Sequence, residues 1–240
     1  MMELYRLPLR VAETEFKEKK SRFISNIAPV SSEDEALAFL RSIREKHREA
    51  SHNVYAYRIF GHAVGRNESY LSNRFASDSV GTVRHGDNSG ACRHSDDGEP
   101  SGTAGMPLLD VFLKRDIYDF CCVATRYFGG VLLGAGGLVR AYARCGADAL
   151  AASGVGIMRE LTLCSSSIPY FLYEPIKRLL NMSGAEIASE NFGAEVELGF
   201  LFAADRLPAL RDKFTELSSG AISIVVKGTQ MSVSDAVVVS

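Results

Sequence analysis

Residues 96–107 read DDGEPSGTAGMP, and residues 126–142 read RYFGGVLLGAGGLVRAY. These two stretches, called here the first and the second glycine string, mark the points where loops or strands lead into predicted helices. Each string places small residues, backbone N–H groups and a few charged side chains at such a junction. This is the usual geometry for binding an anion, so both strings are candidate functional segments.

The amino-acid composition of the whole chain is typical of a globular protein. The chain has 240 residues, of which 46% are hydrophobic and 23% are charged, and its formal net charge is −2. This length suits one large domain or two modest ones, and we expect two. The nearly neutral charge lacks the strongly basic balance of proteins that bind nucleic acid mainly through its phosphates.

No segment of the sequence predicts export or insertion into a membrane. The N-terminus has no apolar run before a small-residue cleavage site, and no uncharged stretch is long enough to span a bilayer. The five cysteines show no C-x-x-C spacing, which favours buried and reduced thiols. We therefore expect a cytoplasmic protein.

Hydrophobic patterning predicts strands and helices in an N-terminal domain, residues 1–155. The predicted elements are a helix capped by Ser31 or Ser32, a strand at 52–60, a helix that begins near Pro107, a strand at 119–128 and a helix at 137–153. Residues 61–95 have no clear periodicity, so they predict a long flexible loop or an inserted hairpin.

The pattern changes after residues 154–156, which predicts a second domain over residues 157–240. Its predicted elements are a strand at 160–168, a helix at 174–182, strands at 185–191 and 194–202, a helix at 205–217 and a strand at 221–226. The resulting order, βαββαβ, is that of the ferredoxin-like plan. The predicted fold class is therefore α+β for the whole chain.

The first glycine string allows two interpretations. Asp96, Asp97 and Glu99 supply carboxylates and Ser101 and Thr103 supply hydroxyls, a set that can hold hydrated Mg²⁺ with substrate phosphate oxygens as further ligands. Alternatively, the aspartates form side-chain turns, and Thr103 or a neighbour caps the following helix. Turn chemistry explains these residue types better, so no cofactor is assigned. Mg²⁺ is kept as a candidate cofactor because the carboxylates and hydroxyls could hold it.

The second glycine string is equally open to two interpretations. Gly134, Gly136 and Gly137 precede an alanine-rich helix, so their N–H groups can form an anion-binding nest, with Arg140 one turn inside the helix. No Gly-Lys-Ser/Thr follows, which excludes a Walker A loop. The alternative is that the glycines let the helix pack closely on the sheet.

His52, Lys20 and Arg22 also have both a functional and a structural interpretation. His52 precedes an aromatic strand, where a partly buried histidine with a hydrogen-bond partner is commoner than a general base. Lys20 and Arg22 can contact phosphate, but a solvated charged edge is the commoner reason for such a run.

The glycine strings, together with KSRFI at residues 20–24 and His52-Asn53, resemble the YigZ/IMPACT family. The resemblance covers residues 15–150, and the βαββαβ tail is similar to the second domain of bacterial members. It implies an N-terminal domain like the second domain of small-subunit ribosomal protein five. It also implies a C-terminal domain like the last domain of elongation factor G. Eukaryotic members act in translational control under amino-acid starvation, and they carry an additional N-terminal interaction domain.

Three functional hypotheses follow. The first is a non-enzymatic, translation-linked regulatory or binding protein that contacts the ribosome, RNA or a ribosome-associated protein. The second is a Mg²⁺-dependent enzyme that acts on a phosphorylated small molecule or nucleotide, by analogy with kinases of the same superfold. The third is a protein-interaction scaffold in which both strings are purely architectural. Among these, the absence of a recognisable nucleophile, base and orienting partner favours the first.

The residues predicted to bind a ligand share one predicted surface, on which the first string faces the second. They are Asp96, Asp97, Glu99, Ser101, Gly102, Thr103, Arg126, Gly129, Gly130, Gly134, Gly136, Gly137 and Arg140, with His52, Lys20 and Arg22 beside them.

Overall fold

The computed structural model describes residues 3–60, 81–82 and 90–234. These residues divide into an N-terminal unit, Tyr5–Gly156, and a C-terminal unit, Ile157–Ser234 together with Glu3 and Leu4. The described residues form two sheets and five helices, so the fold is mixed α+β. No helix in this part of the chain is long and apolar enough to cross a membrane.

The elements up to residue 153 are seven strands and three helices. The strands are β1 (Glu3–Pro8), β2 (Ala12–Glu18), β3 (Ser21–Pro29), β4 (His52–Arg58), β5 (Gly81–Thr82), β6 (Cys92–Ser95) and β7 (Phe120–Tyr127). The helices are α1 (Glu33–Lys46), α2 (Gly105–Leu113) and α3 (Ala135–Ser153).

The elements that follow are four strands, two helices and a short 3₁₀ turn. They are β8 (Val155–Ile168), α4 (Tyr170–Ser183), β9 (Glu186–Phe192), β10 (Val196–Phe202), the 3₁₀ turn (Ala204–Arg206), α5 (Leu207–Ser218) and β11 (Val225–Ser234).

The N-terminal unit is built on a six-stranded antiparallel sheet in the order β2-β3-β7-β4-β6-β5. Helix α1 covers one face, where Leu40 and Ile43 belong to the same buried cluster as Tyr57 and Val123. Helices α2 and α3 cover the opposite face and share the larger apolar cluster. Because both faces are covered, β7 is buried along nearly its whole length, which explains the apolar run at residues 120–124.

Local signals place α1 and α2 where the sequence predicts helices. The Ser32 side chain caps α1 by accepting a hydrogen bond from the Glu35 N–H at 3.2 Å, and three acidic residues occupy its first turn. Pro107 lies in the first turn of α2, where its missing N–H costs nothing. The predictions of both helices are confirmed.

The C-terminal unit has the predicted element order βαββαβ, formed by β8, α4, β9, β10, α5 and β11. In its sheet β8 lies between β11 and β10, and β9 follows β10, all with antiparallel pairing. Strand β1 also joins this sheet beside β8. One buried cluster, which includes Phe200 and Phe214, packs α4 and α5 against the strands.

Two sequence predictions need correction, and one strand was missed. Residues 92–95, placed in the predicted 61–95 insertion, form strand β6, which pairs with β4 in the sheet and is largely buried. The antiparallel pairing of β6 with β5 agrees with the hairpin alternative for this segment. The rest of that insertion, apart from 81–82 and 90–91, lies outside the described residues. The last strand runs over Val225–Ser234 instead of 221–226, because this edge strand is mostly polar and exposed and lacks a clear apolar signal. Strand β1 was not predicted.

The five cysteines are free and buried. Burial raises the pKa of the Cys121 and Cys145 thiols to about 12, so little thiolate is available there at neutral pH. These cysteines are therefore small apolar core residues.

The turn between β2 and β3 adopts an unusual backbone conformation. Glu18 pairs with Ser21, so Lys19 and Lys20 form a two-residue turn, and their φ angles are +41° and +69°. Positive φ at both positions is the signature of a type I′ turn, which Asn-Gly satisfies with least strain. Two lysines therefore occupy this turn at a cost in backbone energy.

We predict that the double substitution Lys19→Asn/Lys20→Gly stabilises the protein. Relief of the left-handed strain should raise the free energy of unfolding by about 1 kcal/mol. For a chain of this size that corresponds to a rise of about 2–4 °C in Tm, measured by calorimetry. Lys17→Asn in the adjoining strand is the control, because it removes a lysine without changing the turn. A lower Tm for the turn variant would contradict the prediction.

Candidate functional site

Asp96 is the side chain that caps helix α2. Its Oδ1 accepts hydrogen bonds from the N–H groups of Ala104 at 3.0 Å and Gly105 at 2.8 Å. Its Oδ2 accepts another from the Gly102 N–H at 2.8 Å. Asp96 thus accepts hydrogen bonds from the free N–H groups at the start of α2, although it lies eight residues before the N-cap, Ala104. Thr103, the residue predicted for this role, instead donates its hydroxyl to the Pro100 carbonyl at 2.7 Å.

Asp97 fastens the first glycine string to strand β4 and helix α1. Its Oδ2 accepts a hydrogen bond from the Asn53 N–H at 2.6 Å, and its Oδ1 accepts one from the Arg44 guanidinium at 2.7 Å. The Asp97 carbonyl lies 2.8 Å from His52 Nδ1, so that nitrogen carries the proton and donates it. A positive φ of 46° at Asp97 accompanies these contacts.

Glu99 joins the two glycine strings at a buried point. Its Oε1 accepts hydrogen bonds from Arg126 Nη1 at 2.6 Å and from the Tyr142 hydroxyl at 2.8 Å. The side chains of Glu99 and Arg126 are only 3% and 5% exposed. His52 Nε2 lies 3.9 Å from the same oxygen. Burial and the adjacent carboxylate raise the pKa of the Tyr142 hydroxyl, so it stays a hydrogen-bond donor.

Arg126 is held between aromatic rings above the sheet. Its guanidinium carbon lies 5.6 Å from the Phe23 ring centroid and 5.4 Å from that of Phe128. Its Nη2 donates to the Ser21 hydroxyl at 3.3 Å, whereas its buried Nε has no hydrogen-bond partner among the described residues. Removing the Glu99 carboxylate would therefore leave a buried cation without its counter-ion, which is strongly destabilising.

Gly129 brings the second glycine string against the β2–β3 turn. A Cβ on this glycine would lie 2.0 Å from the Lys20 carbonyl oxygen, which no side chain tolerates. The Gly129 N–H also lies 3.4 Å from the Ser21 hydroxyl. The absence of a side chain at Gly129 thus allows the lysine turn and the loop after β7 to touch.

Among the other glycines of the second string, Gly130 lies in the loop after β7, and Gly134, Gly136 and Gly137 lie at the start of helix α3. Gly130 and Gly134 have positive φ, with open space where a Cβ would be. Gly134 is the N-cap of α3 and supplies no side-chain hydrogen bond, and the first turn has no acidic residue. A Cβ on Gly136 would lie 3.6 Å from Nη1 of the exposed Arg140, and a Cβ on Gly137 would lie 3.0 Å from Leu133 Cβ. At none of these four positions would a Cβ meet the sheet, so close packing of helix on sheet does not account for the glycines, and anion binding at this helix end stays a prediction.

The structure thus brings only part of the predicted site together. Glu99, Arg126 and His52 converge, and Lys20 touches Gly129. Ser101 and Gly102 lie on the exposed side of their loop. Arg22 forms a bidentate pair with Glu15 across the β2–β3 hairpin, and its guanidinium carbon lies 5.8 Å from the ring centroid of Tyr127 in the second string.

Each of the three carboxylates of the first string accepts hydrogen bonds from protein donors. Asp96 binds backbone donors, Asp97 binds Arg44 and a backbone N–H, and Glu99 binds Arg126 and Tyr142. Within the described residues, no group of three or more His, Cys, Asp or Glu side chains is arranged to hold a metal ion. Turn chemistry and ion pairing explain the carboxylates.

Sequence reasoning missed Tyr142, Ser21 and Arg44 as partners of the predicted site. Tyr142 follows Leu138 by four residues, which places it on the buried face of α3. A hydroxyl on a buried helix face needs a hydrogen-bond partner, and this signal identifies Tyr142. Ser21 and Arg44 carry no comparable signal, because their contacts depend on sheet register and on the packing of α1.

We predict that Asp96→Ala lowers the free energy of unfolding by about 2 kcal/mol, near the upper end for a lost helix cap. The physical reason is that three backbone N–H groups lose their acceptor. Denaturant unfolding measures the loss, and Ser101→Ala in the same loop is the control, expected to change stability by less than about 0.5 kcal/mol. Equal stability of the two variants would show that Asp96 is not the cap.

Known protein families match both units of the chain. Residues 19–150 match the Impact N-terminal domain, and residues 167–221 match a domain of unknown function, DUF1949. A solved structure described as a hypothetical protein has a TM-score of 0.52 and 27% sequence identity, covering 94% of this chain and 98% of that chain. This neighbour supports a two-domain fold.

The relatives found by sequence carry one family name. IMPACT family member YvyE of Bacillus subtilis is 33% identical over 93% of this chain and 91% of its own length. IMPACT family member YigZ of Escherichia coli is 28% identical over 93% of this chain and 98% of its own length. The Protein IMPACT homolog of Dictyostelium discoideum is 34% identical over 49% of this chain and 27% of its own length. The chain therefore belongs to the IMPACT family.

Proposed function

We propose that this chain is a non-enzymatic, translation-linked binding protein that contacts structured RNA of the ribosome. The contact surface, called here the tip surface, consists of the turn at residues 19–20 and the loop at residues 128–132. The observation that carries the proposal is the contact between the Lys20 carbonyl and Gly129, which places two lysines against an exposed aromatic and apolar loop.

The lysine turn is the electrostatic part of the tip surface. Lys19 and Lys20 are exposed and occupy left-handed conformations that other residues adopt with less strain. Backbone strain retained at one position is an indication of function, since the surrounding structure must compensate for it. Two ammonium groups at a projecting turn suit contact with phosphate groups.

The loop after β7 is the apolar part of the tip surface. Phe128 is 47% exposed and Leu132 is 81% exposed. Arg126 lies beneath the Phe128 ring and fixes its position. An exposed aromatic ring beside lysines is the combination on which unpaired RNA bases stack while the phosphates pair with cations.

The geometry around Glu99 supports a binding role in preference to catalysis. The carboxylate of Glu99 and the guanidinium of Arg126 are nearly fully buried and bonded to each other. His52 donates its Nδ1 proton to the Asp97 carbonyl, and no nucleophile contacts its other nitrogen within the described residues. These groups hold the tip surface in place, as a binding module requires.

The family relationship supports the link to translation, because eukaryotic IMPACT proteins act in translational control. We further infer that domains 1–155 and 157–240 resemble the second domain of small-subunit ribosomal protein five and the last domain of elongation factor G. The βαββαβ order of the second domain supports the latter comparison. We place the protein in the cytoplasm, where ribosomes are found.

The test of this proposal compares two variants that each lose two positive charges. Lys19→Asn/Lys20→Gly removes the lysines while keeping a favourable turn, and Arg41→Gln/Lys213→Gln removes exposed charges on α1 and α5. We expect the turn variant to bind a ribosomal RNA hairpin at least about tenfold more weakly, with a shallower dependence of affinity on salt. The control should bind as the wild type does.

Fluorescence anisotropy with labelled RNA measures the affinity, and co-sedimentation with ribosomes measures the larger assembly. If both variants lost the same affinity for the RNA, net charge alone would explain the loss. That result would contradict RNA binding at the tip surface. Undiminished RNA binding by a folded turn variant would also contradict it. Co-sedimentation that persists while the isolated RNA does not bind would point to a protein partner and overturn the RNA contact.

A further inference from the structure

The C-terminal unit contains a cleft with two arginines, separate from the glycine strings. The polar and backbone groups that line it come from β8, β9, β11, the end of α4 and the 3₁₀ turn before α5. Its lining includes Arg159, Gly184, Glu186, Phe202, Arg206 and Ser232.

Arg159 is the partly buried cation of this cleft. It lies on β8 opposite Ser232 of β11. Its Nε is buried and has no hydrogen-bond partner among the described residues. An unpaired guanidinium N–H removed from water is costly, so an acceptor in the cleft would stabilise it.

Arg206 is the second cation and lies on the solvent side. Its guanidinium carbon lies 5.5 Å from the Phe202 ring centroid, a contact that orients the side chain. No ion pair joins Arg206 or Arg159 to a carboxylate in the part of the chain that the structure describes. Both guanidinium groups therefore keep donors available for a ligand.

Two further groups complete the lining. Gly184 ends α4 with a φ of +78°, and a Cβ there would lie 3.9 Å from Arg206 Nη1, so the Arg206 guanidinium lies beside the end of α4. The Ser232 hydroxyl donates to Glu186 Oε2 at 2.7 Å. The cleft thus carries two cations and one carboxylate, and that carboxylate can accept a hydrogen bond from a ligand hydroxyl.

We propose that this cleft binds a phosphate group through Arg159 and Arg206. Guanidinium groups bind phosphate oxygens through charge-assisted, often bidentate hydrogen bonds. In a phosphate monoester of a sugar, the phosphate oxygens supply acceptors for Arg159 and Arg206, and a hydroxyl supplies a donor for Glu186. A phosphodiester of RNA presents the same chemistry from a polymer. This proposal is independent of the tip surface, which lies in the other unit.

The experiment measures ligand binding to the full chain by titration calorimetry. The probes are inorganic phosphate, ribose 5-phosphate and an RNA hexamer without a terminal phosphate. The variants are Arg159→Gln and Arg206→Gln, and Arg178→Gln on the exposed side of α4 is the matched control. We expect each cleft variant to weaken binding by about tenfold or more, the effect of losing charge-assisted hydrogen bonds, while the control binds normally.

Each outcome decides the proposal. Binding of phosphate or ribose 5-phosphate that the cleft variants lose would support a monoester, and binding of the hexamer alone with the same loss would support a phosphodiester. No saturable binding of any probe would overturn the proposal, as would an equal loss in Arg178→Gln. If Arg159→Gln fails to fold, Arg206→Gln carries the test, because its side chain is exposed and its removal leaves the core intact.

Discussion

The ion pair between Glu99 and Arg126 is the interaction on which the N-terminal unit depends. It joins the first glycine string to strand β7 at a point where both side chains are almost completely buried. Two buried charges are expensive to desolvate, and the pair is tolerated only because each charge has further partners. Tyr142 supplies a second donor to Glu99, and two aromatic rings flank the guanidinium of Arg126.

This buried pair determines what the surface above it presents. Arg126 fixes Phe128, Gly129 follows directly, and the Lys20 carbonyl rests against that glycine. The contacts of Arg126 with Phe128 and of Gly129 with the Lys20 carbonyl therefore hold the strained lysine turn and the exposed loop together. Asp96 and Asp97 act in the same way, because one caps α2 and the other ties the string to β4 and α1. The carboxylates that resembled a metal site thus hold the first glycine string in place.

Much of this architecture could be predicted from local sequence, because caps and periodicity act over a few residues. Ser32 and Pro107 mark their helices, and the βαββαβ order follows from apolar spacing. The two glycine strings also meet, but through Glu99 and Arg126 instead of through the whole predicted set. What could not be predicted depends on register and packing between distant segments, such as the contact of Lys20 with Gly129 or of Arg44 with Asp97.

A double-mutant cycle on Glu99→Gln and Arg126→Gln tests the dependence on the buried pair most directly. Each single substitution leaves one charge without its counter-ion and should lower the free energy of unfolding by about 3–5 kcal/mol. The double variant removes both charges, so its loss should fall short of the sum by at least about 2 kcal/mol, measured by denaturant unfolding. Additivity within about 0.5 kcal/mol would show that the two charges are not coupled and would contradict this account.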